Sequence, residues 1–145
     1  MKEIIKDFIQ QQTCAAICCV DSSGSPYCFS CFYAFNDEEN LLYFKSSVDS
    51  HHVALLKENP LIAGAILPDR LNTFLIKGIQ FEGTVLDAEG DAAKQASGKY
   101  YRRHPVAYAV PGEVWIIRID HIKMTYSTTG FINKVSWSRE SEILN

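Results

Sequence analysis

The sequence feature that most limits the fold is a long alternation of apolar and polar side chains over residues 75–87. The apolar positions are Ile79, Phe81, Gly83 and Val85, and the polar positions between them are Gln80, Glu82 and Thr84. In an extended chain these two sets point to opposite faces. Alternation of this kind predicts a β-strand with one face buried and the other outside, so the chain is expected to build a sheet.

Other segments extend this prediction to a mainly β fold. Apolar or aromatic runs bounded by turn residues predict further strands over residues 14–20, 27–35, 41–45, 61–67 and 113–125. Helical periodicity or helix-end signals predict short helices over residues 2–12, 50–58 and 92–103. Strands linked mostly by hairpins favour a six-stranded antiparallel barrel with flanking α-helices, as one domain over residues 1–145.

One predicted strand changes its pattern part-way along. In residues 113–125, the residues Trp115, Ile117 and Ile119 share a face, but after Asp120 the apolar positions move to Ile122 and Met124. A change of parity means that one extra residue is inserted into the strand. The sequence therefore predicts a β-bulge or bend near Asp120.

Composition excludes several classes of function. The net charge of −3, without a basic block, gives no electrostatic support for binding nucleic acid. No apolar run approaches the ~20 residues that a membrane span needs. Charged residues interrupt the apolar ones in the first twelve positions, unlike in a secretory signal peptide, so a cytoplasmic location is expected.

The five cysteines do not form a pattern typical of a disulfide framework, because their number is odd and no export signal accompanies them. Cys28 and Cys31 have CxxC spacing, but on a strand they point to opposite faces and cannot clamp one metal ion. We interpret the cysteines mainly as small buried hydrophobic residues. A thiol-based redox or metal role is the alternative, although no metal site is predicted.

A candidate phosphate site lies at the start of the second predicted helix. Ser46, Ser47 and Ser50 offer hydroxyl groups, and His51 and His52 begin the helix, where backbone N–H groups lack partners. The alternative is that these serines are ordinary turn residues and these histidines a solvated helix start. The sequence has no catalytic triad, P-loop or GxGxxG motif, so catalytic residues are not assigned and any chemistry requires a cofactor.

The order of these segments resembles the pyridoxamine 5'-phosphate oxidase-like split-barrel flavoproteins. That resemblance rests on the Ser-rich turn, the run from His52 to Asn59-Pro60, and the strand motif Ile79-Gln-Phe-Glu-Gly83. A closer likeness, over about residues 3–138, is to the uncharacterised YhbP-like group. It is carried by Leu75-Ile-Lys-Gly-Ile-Gln-Phe-Glu-Gly83, Tyr101-Arg-Arg-His-Pro-Val106, Val114-Trp-Ile-Ile-Arg-Ile-Asp-His-Ile-Lys123 and Thr129-Gly-Phe131.

The resemblance implies a homodimer that binds flavin mononucleotide (FMN) at two sites in the subunit interface. His51 and His52 stand where relatives often carry an Arg-Lys pair on the flavin phosphate. The positions that match cofactor-contacting positions of the superfamily are Phe44, Lys45, Ser46, Ser47, His51, His52, Lys77 and Gln80. For Lys45, Lys77 and Gln80 the alternative interpretation is a solvated strand surface, and Arg102 and Arg103 suit a helix C-terminus.

Two functional hypotheses follow from the resemblance. The first is an FMN-dependent oxidoreductase related to pyridoxamine 5'-phosphate oxidase, which exchanges hydride with a nicotinamide cofactor or another small molecule. The second is a non-enzymatic module on the same fold that binds or senses flavin, haem or another anionic ligand. The replacement of the basic pair by histidines motivates the second hypothesis, because imidazole is neutral over much of the physiological pH range.

Overall fold

The structure is a computed structural model that describes residues 1–143 and the side chains of residues 1–141. It is mainly β, as predicted. The strands are β1 (Cys14–Val20), β2 (Pro26–Asn36), β3 (Leu41–Ser46), β4 (Leu61–Ile66), β5 (Lys77–Leu86), β6 (Glu113–Thr128) and β7 (Phe131–Ser138). The helices are α1 (Glu3–Gln11), α2 (His51–Glu58), α3 (Gly90–Arg103) and α4 (Arg139–Ile143), with a 3₁₀ helix over Pro105–Ala109.

Six of these strands close a barrel in which every pairing is antiparallel. The sheet runs β3-β2-β1-β4-β5-β6-β7, and an additional pairing of β3 with β6 completes the ring. The predicted barrel of six strands is therefore confirmed. The prediction missed β7, which extends the sheet beyond β6 over residues 131–138.

The bulge predicted near Asp120 is present. Opposite β5, the register steps from Glu82–His121 to Gly83–Ile119, which leaves Asp120 as the extra residue of β6. Both Ile119 and Ile122 are consequently buried, although they lie an odd number of positions apart. The Asp120 carboxylate turns outward and accepts hydrogen bonds from Thr84 Oγ1 at 2.7 Å and Arg118 Nε at 2.7 Å.

The hydrophobic core fills the barrel and continues under two helices. Helix α1 packs Ile5, Phe8 and Ile9 against it, and helix α2 contributes Leu55 and Leu56. A second, smaller cluster joins helix α3 to the outside of β2, β3 and β6. None of the helices within residues 1–143 is long and apolar enough to cross a membrane.

Arginine and tryptophan side chains attach β7 and α4 to the barrel. The Trp137 side chain is buried in the main core. The Arg139 guanidinium donates hydrogen bonds from Nε to Ile119 O at 2.8 Å and from Nη2 to Asn40 O at 3.0 Å. Residues 131–141 are therefore packed onto the barrel, despite the polar composition of this segment.

Candidate functional site

The site is built around a cleft of about 750 Å³ between the barrel and the segment that follows α3. We call residues 105–111 the strap and this cavity the strap cleft. Strand β2 supplies Ser30, Cys31 and Phe32, and the end of β3 supplies Lys45, Ser46 and Ser47. Helix α3 ends at the cleft with Tyr100 and Arg103, and the apolar side chains of Val106 and Val110 line the strap side.

Ser46, Ser50 and His52 form a hydrogen-bonded cluster at one end of the strap cleft. The Ser46 hydroxyl lies 2.6 Å from His52 Nε2 and 3.1 Å from the Ser50 hydroxyl. Ser50 Oγ also lies 3.2 Å from His52 Nε2 and donates a hydrogen bond to Ser47 O at 2.8 Å. The structure thus brings together the hydroxyl-rich turn and the second of the two histidines, as the candidate phosphate site requires.

Aromatic rings fix the orientation of the two histidines. The His52 imidazole stacks on the Phe29 ring with their centroids 3.8 Å apart, and the exposed His51 meets the Tyr27 ring edge-on at 4.9 Å. Burial lowers the pKa of His52, and the neighbouring His51 lowers it further. In the ligand-free protein His52 is therefore biased toward its neutral form.

Lys45 connects the barrel to the strap. Its ammonium group donates hydrogen bonds to the backbone oxygens of Val110 and, at 2.7 Å, Ala107, and it lies 4.9 Å from the centroid of the Tyr101 ring. Tyr101 in turn stacks on Tyr108 of the strap, with ring centroids 3.9 Å apart. Lys45, which the resemblance places at a cofactor-contacting position, thus holds the wall of the cleft.

A third histidine, His104, forms part of the opposite wall of the strap cleft. His104 Nε2 lies 2.6 Å from the backbone oxygen of Tyr33, and its ring is 5.7 Å from that of Phe32. Cys31 lies beside them, and burial raises the pKa of its thiol to about 12. Cys31 therefore stays protonated near neutral pH and does not supply a thiolate nucleophile.

The predicted residue Phe44 has a different position. Its side chain is 1% exposed and belongs to the main core, where it packs near Phe29. Alternation along β3 explains this position, because Leu42 and Phe44 face the main core while Tyr43 and Lys45 face the other side. Any contact between Phe44 and a ligand is thus limited to its backbone.

Lys77 and Gln80 are not brought to the strap cleft within one chain. Both are exposed on β5, and the Lys77 ammonium lies 5.3 Å from the centroid of the Phe8 ring. The strand register nevertheless places Gln80 in the same cross-strand row as Ser30, which lines the strap cleft. Ser30 pairs with Ala16, Ala16 with Ala65, and Ala65 with Gln80, so one row crosses β2, β1, β4 and β5. We call this set of four residues the outer row.

The interpretation of the cysteines as buried residues is wrong for three of them. Cys14, Cys18 and Cys28 are exposed on the outer face of β1 and β2, and Cys19 is buried. The continuous apolar run of β1 concealed this difference, because its outward residues are also apolar. No group of three or more potential metal ligands occurs among the described residues.

Sequence reasoning missed most of the strap cleft. Phe32 and His104 were not singled out as ligand contacts, and no function was assigned to the strap. The signal available was the run of exposed apolar residues after α3. Val106 is 82% exposed and Tyr108 is 72% exposed, and exposed apolar side chains grouped in this way often mark a binding surface.

Comparison with known proteins identifies the family. Residues 1–130 match the family described as pyridoxamine 5'-phosphate oxidase. The chain belongs to this family. A UPF0306 protein from Photorhabdus laumondii is 35% identical over 137 residues, which cover 94% of this chain and 95% of the relative. The chain is thus also a member of the UPF0306 group, and the predicted resemblance is confirmed.

Solved structures of the same fold include proteins that are described as binding different ligands. A haem-binding protein from Mycobacterium smegmatis superposes with a TM-score of 0.78 at 15% identity over 92% of this chain, which spans 56% of that protein. A FAD-binding protein from Mesorhizobium loti superposes with a TM-score of 0.70 at 14% identity, covering 88% of this chain and 96% of that protein. At these identities the likeness establishes the fold alone.

Proposed function

We propose that this protein binds FMN in the strap cleft and acts as a flavin-dependent oxidoreductase. The observation that carries the proposal is the Ser46–Ser50–His52 cluster at the end of an apolar cleft of about 750 Å³. Cofactor pockets typically combine 300–1,000 Å³ of mostly apolar wall with a few polar groups. When bound, FMN would supply hydride transfer between the substrate and an electron donor.

The residues of the cleft fit the two parts of this cofactor. Ser46, Ser50 and His52, with the first backbone N–H groups of α2, would hold the phosphate. Phe32 and the apolar strap residues would pack against the ring system. Lys45 would act through the strap, because its ammonium group already binds the backbone oxygens of Ala107 and Val110.

We propose that the active form is a homodimer, since one chain leaves the outer row open. Ala16 and the exposed cysteines Cys18 and Cys28 give β1 and β2 an outer face of small residues. Three strand spacings, or about 14 Å along the sheet, separate Ser30 of the cleft from Gln80. A two-fold axis near Ala16 would bring Gln80 of a second copy toward Ser30, with Lys77 on the same strand.

The second candidate function is haem binding without flavin chemistry. It is favoured by His104, whose ring borders the apolar strap cleft, and by the haem-binding protein of the same fold. A haem ligated by His104 would require His104 Nε2 to leave the backbone oxygen of Tyr33 or the other ring nitrogen to bind the iron. The two candidates therefore differ in the residue on which binding depends.

The test is a visible spectrum of the purified protein after addition of FMN and removal of the unbound cofactor. Retention of flavin absorbance, followed by bleaching with a nicotinamide donor, supports the proposed oxidoreductase. A protein that loses added FMN but gives a sharp Soret band with hemin supports the second candidate. Size-exclusion chromatography with light scattering on the same samples tests the homodimer.

Variants of the histidines separate the two sites. His51→Ala/His52→Ala should weaken FMN binding by roughly 10- to 100-fold, the range for loss of charge-assisted hydrogen bonds. His104→Ala should weaken hemin binding and leave the phosphate end of the flavin site intact. Unchanged FMN affinity in the double variant would disprove the assignment of the phosphate site.

A further inference from the structure

A second cavity, separate from the cluster of Ser46, Ser50 and His52, lies between the end of α1 and the last turns of α3. Its volume is about 300 Å³. Lys99, Arg102 and Arg103 line it, and Asp37 is the only carboxylate among the lining residues that the structure describes. We call this the basic cavity.

The three cations have different partners. Arg103 Nη2 donates long hydrogen bonds to the backbone oxygens of Gln10 at 3.5 Å and Gln12 at 3.4 Å, near the end of α1. Among residues 1–141, neither Lys99 nor Arg102 has a hydrogen-bond or ion-pair partner. Two positive charges in the basic cavity are therefore available to a ligand.

The dipole of α3 explains only part of this arrangement. Cations in the last turn of a helix interact favourably with its negative end. That effect does not require the cations to share a side, and like charges three or four residues apart repel each other on a helix. Lys99, Arg102 and Arg103 nevertheless collect on one cavity, in a chain whose net charge is −3.

We infer that the basic cavity binds the phosphate group of a small molecule. A guanidinium such as that of Arg102 offers parallel N–H donors that match two phosphate oxygens, and the Lys99 ammonium adds a mobile point charge. The volume admits a phosphate with a sugar-sized body. Gln10 contributes an amide at the cavity edge that can bind a hydroxyl or a third phosphate oxygen.

Arg103 lines both the basic cavity and the strap cleft. A ligand that places its phosphate between Lys99 and Arg102 can therefore extend past Arg103 toward the cleft. On the proposed flavin function, the position of this cavity indicates that the substrate or the electron donor is a phosphorylated small molecule. Phosphate binding in the basic cavity itself does not depend on flavin.

The experiment is a titration of the isotopically labelled protein with inorganic pyrophosphate, followed by ¹H–¹⁵N NMR with and without bound FMN. We expect the backbone amides of residues 10–12 and 99–103 to shift in both samples. Lys99→Gln/Arg102→Gln should weaken this binding by about tenfold or more. The matched control is Lys57→Gln/Lys94→Gln, which removes two positive charges from positions of α2 and α3 that do not line the cavity and should bind pyrophosphate as the parent does.

Two results would overturn the inference. One is a set of shifts confined to residues 46–52, which would assign all phosphate binding to the other cluster. The other is an equal loss of affinity in the control variant, which would show attraction to overall charge. If FMN fails to bind while residues 99–103 still shift, the proposed flavin function fails and the phosphate site stands. The ¹H–¹⁵N spectrum of each variant shows that it is folded, and Arg102→Lys, which keeps the charge, should bind pyrophosphate more tightly than Lys99→Gln/Arg102→Gln.

Discussion

The His52 imidazole lies almost parallel to the Phe29 ring, with an angle of 12° between the ring planes and 3.8 Å between the centroids. This contact fixes the direction of Nε2 toward the hydroxyls of Ser46 and Ser50. It also removes part of the imidazole from water, which lowers its pKa. On the proposed flavin function, His52 would therefore be oriented toward the phosphate and neutral until the phosphate binds.

The free energy of unfolding of the ligand-free protein should decrease as the pH is lowered, because of His52. The pKa of His52 in the folded state lies below its ordinary value of 6.5, so the unfolded chain takes up a proton first as the pH decreases. The contribution of neutral His52 is present above that ordinary value and is lost as the pH falls through the folded pKa. Urea denaturation at pH 7.5 and pH 5.5 should show a smaller loss in His52→Gln than in the parent.

His51→Gln is the control for this comparison, because the exposed His51 ring contributes only the lesser cause of the shift in His52. It should retain most of the parent's loss of stability between the two pH values. An identical loss in the parent and in His52→Gln would show that other groups dominate the transition.

Replacement of Lys45 by methionine should loosen the strap. The substitution keeps most of the length of the side chain but removes both hydrogen bonds to the backbone oxygens of Ala107 and Val110. We expect a loss of about 1 kcal/mol in the free energy of unfolding. Amide hydrogen exchange over residues 104–112 should become faster, while exchange in the barrel strands changes little.

Lys77→Met provides the matched comparison. The Lys77 ammonium also lies over an aromatic ring, that of Phe8, but it makes no hydrogen bond to the strap. Exchange over residues 104–112 should therefore be unchanged in this variant. Equal acceleration in both variants would contradict a tethering role for Lys45.

The cysteines provide a test of the proposed homodimer. Cys18 and Cys28 face each other across β1 and β2 and are exposed in the single chain. A dimer that covers the outer row would shield both thiols from a chromogenic disulfide reagent. We expect slow modification at high protein concentration and faster modification on dilution below the dimer dissociation constant, with Cys14→Ser present to simplify the signal. Fast modification that does not depend on concentration would argue against this interface.

Glycine at position 83 should be essential for barrel packing. A Cβ atom there would lie 2.5 Å from Arg118 O and 3.0 Å from Ile117 Cγ2, beside the bulge. Because the nearer atom belongs to the backbone, Gly83→Ala should destabilise the fold by about 1–3 kcal/mol. Gly98→Ala is the opposite case, since nothing lies within 4 Å of the added methyl group in helix α3. That variant should gain about 0.5–1 kcal/mol, as thermal denaturation of both proteins will show.

Much of the fold was predictable because local patterns and tertiary positions agree. Strand β1 has the predicted bounds, and the parity change at Asp120 located the bulge without any structure. Strand β7 was missed because Trp137 is its one buried residue and the exposed Phe131 and Ile132 obscure the alternation of apolar and polar positions. Its position depends on long-range contacts, such as those of Arg139 with the backbone of Asn40 and Ile119, which no local pattern reveals.

The candidate site was predictable only where its residues are close together in the sequence. Ser46, Ser50 and His52 occupy one turn and the start of one helix, so their proximity follows from local structure. Phe32 and His104 meet only because α3 returns to the barrel beside β2. The contacts of Lys45 could not be predicted either, because its partners are backbone oxygens of the strap and every residue carries such an oxygen.

The bulge at Asp120 also affects how the length of this chain can change over generations. Removing that one residue would place His121 directly after Ile119 and restore regular pairing between β5 and β6. Ile119, Ile122 and Met124 would then still face the barrel interior, and the loss would be the carboxylate that binds Thr84 and Arg118. Removing a residue elsewhere in β6 would instead turn one part of the strand inside out. Descendants of this sequence should therefore lose single codons within β6 only at the bulge.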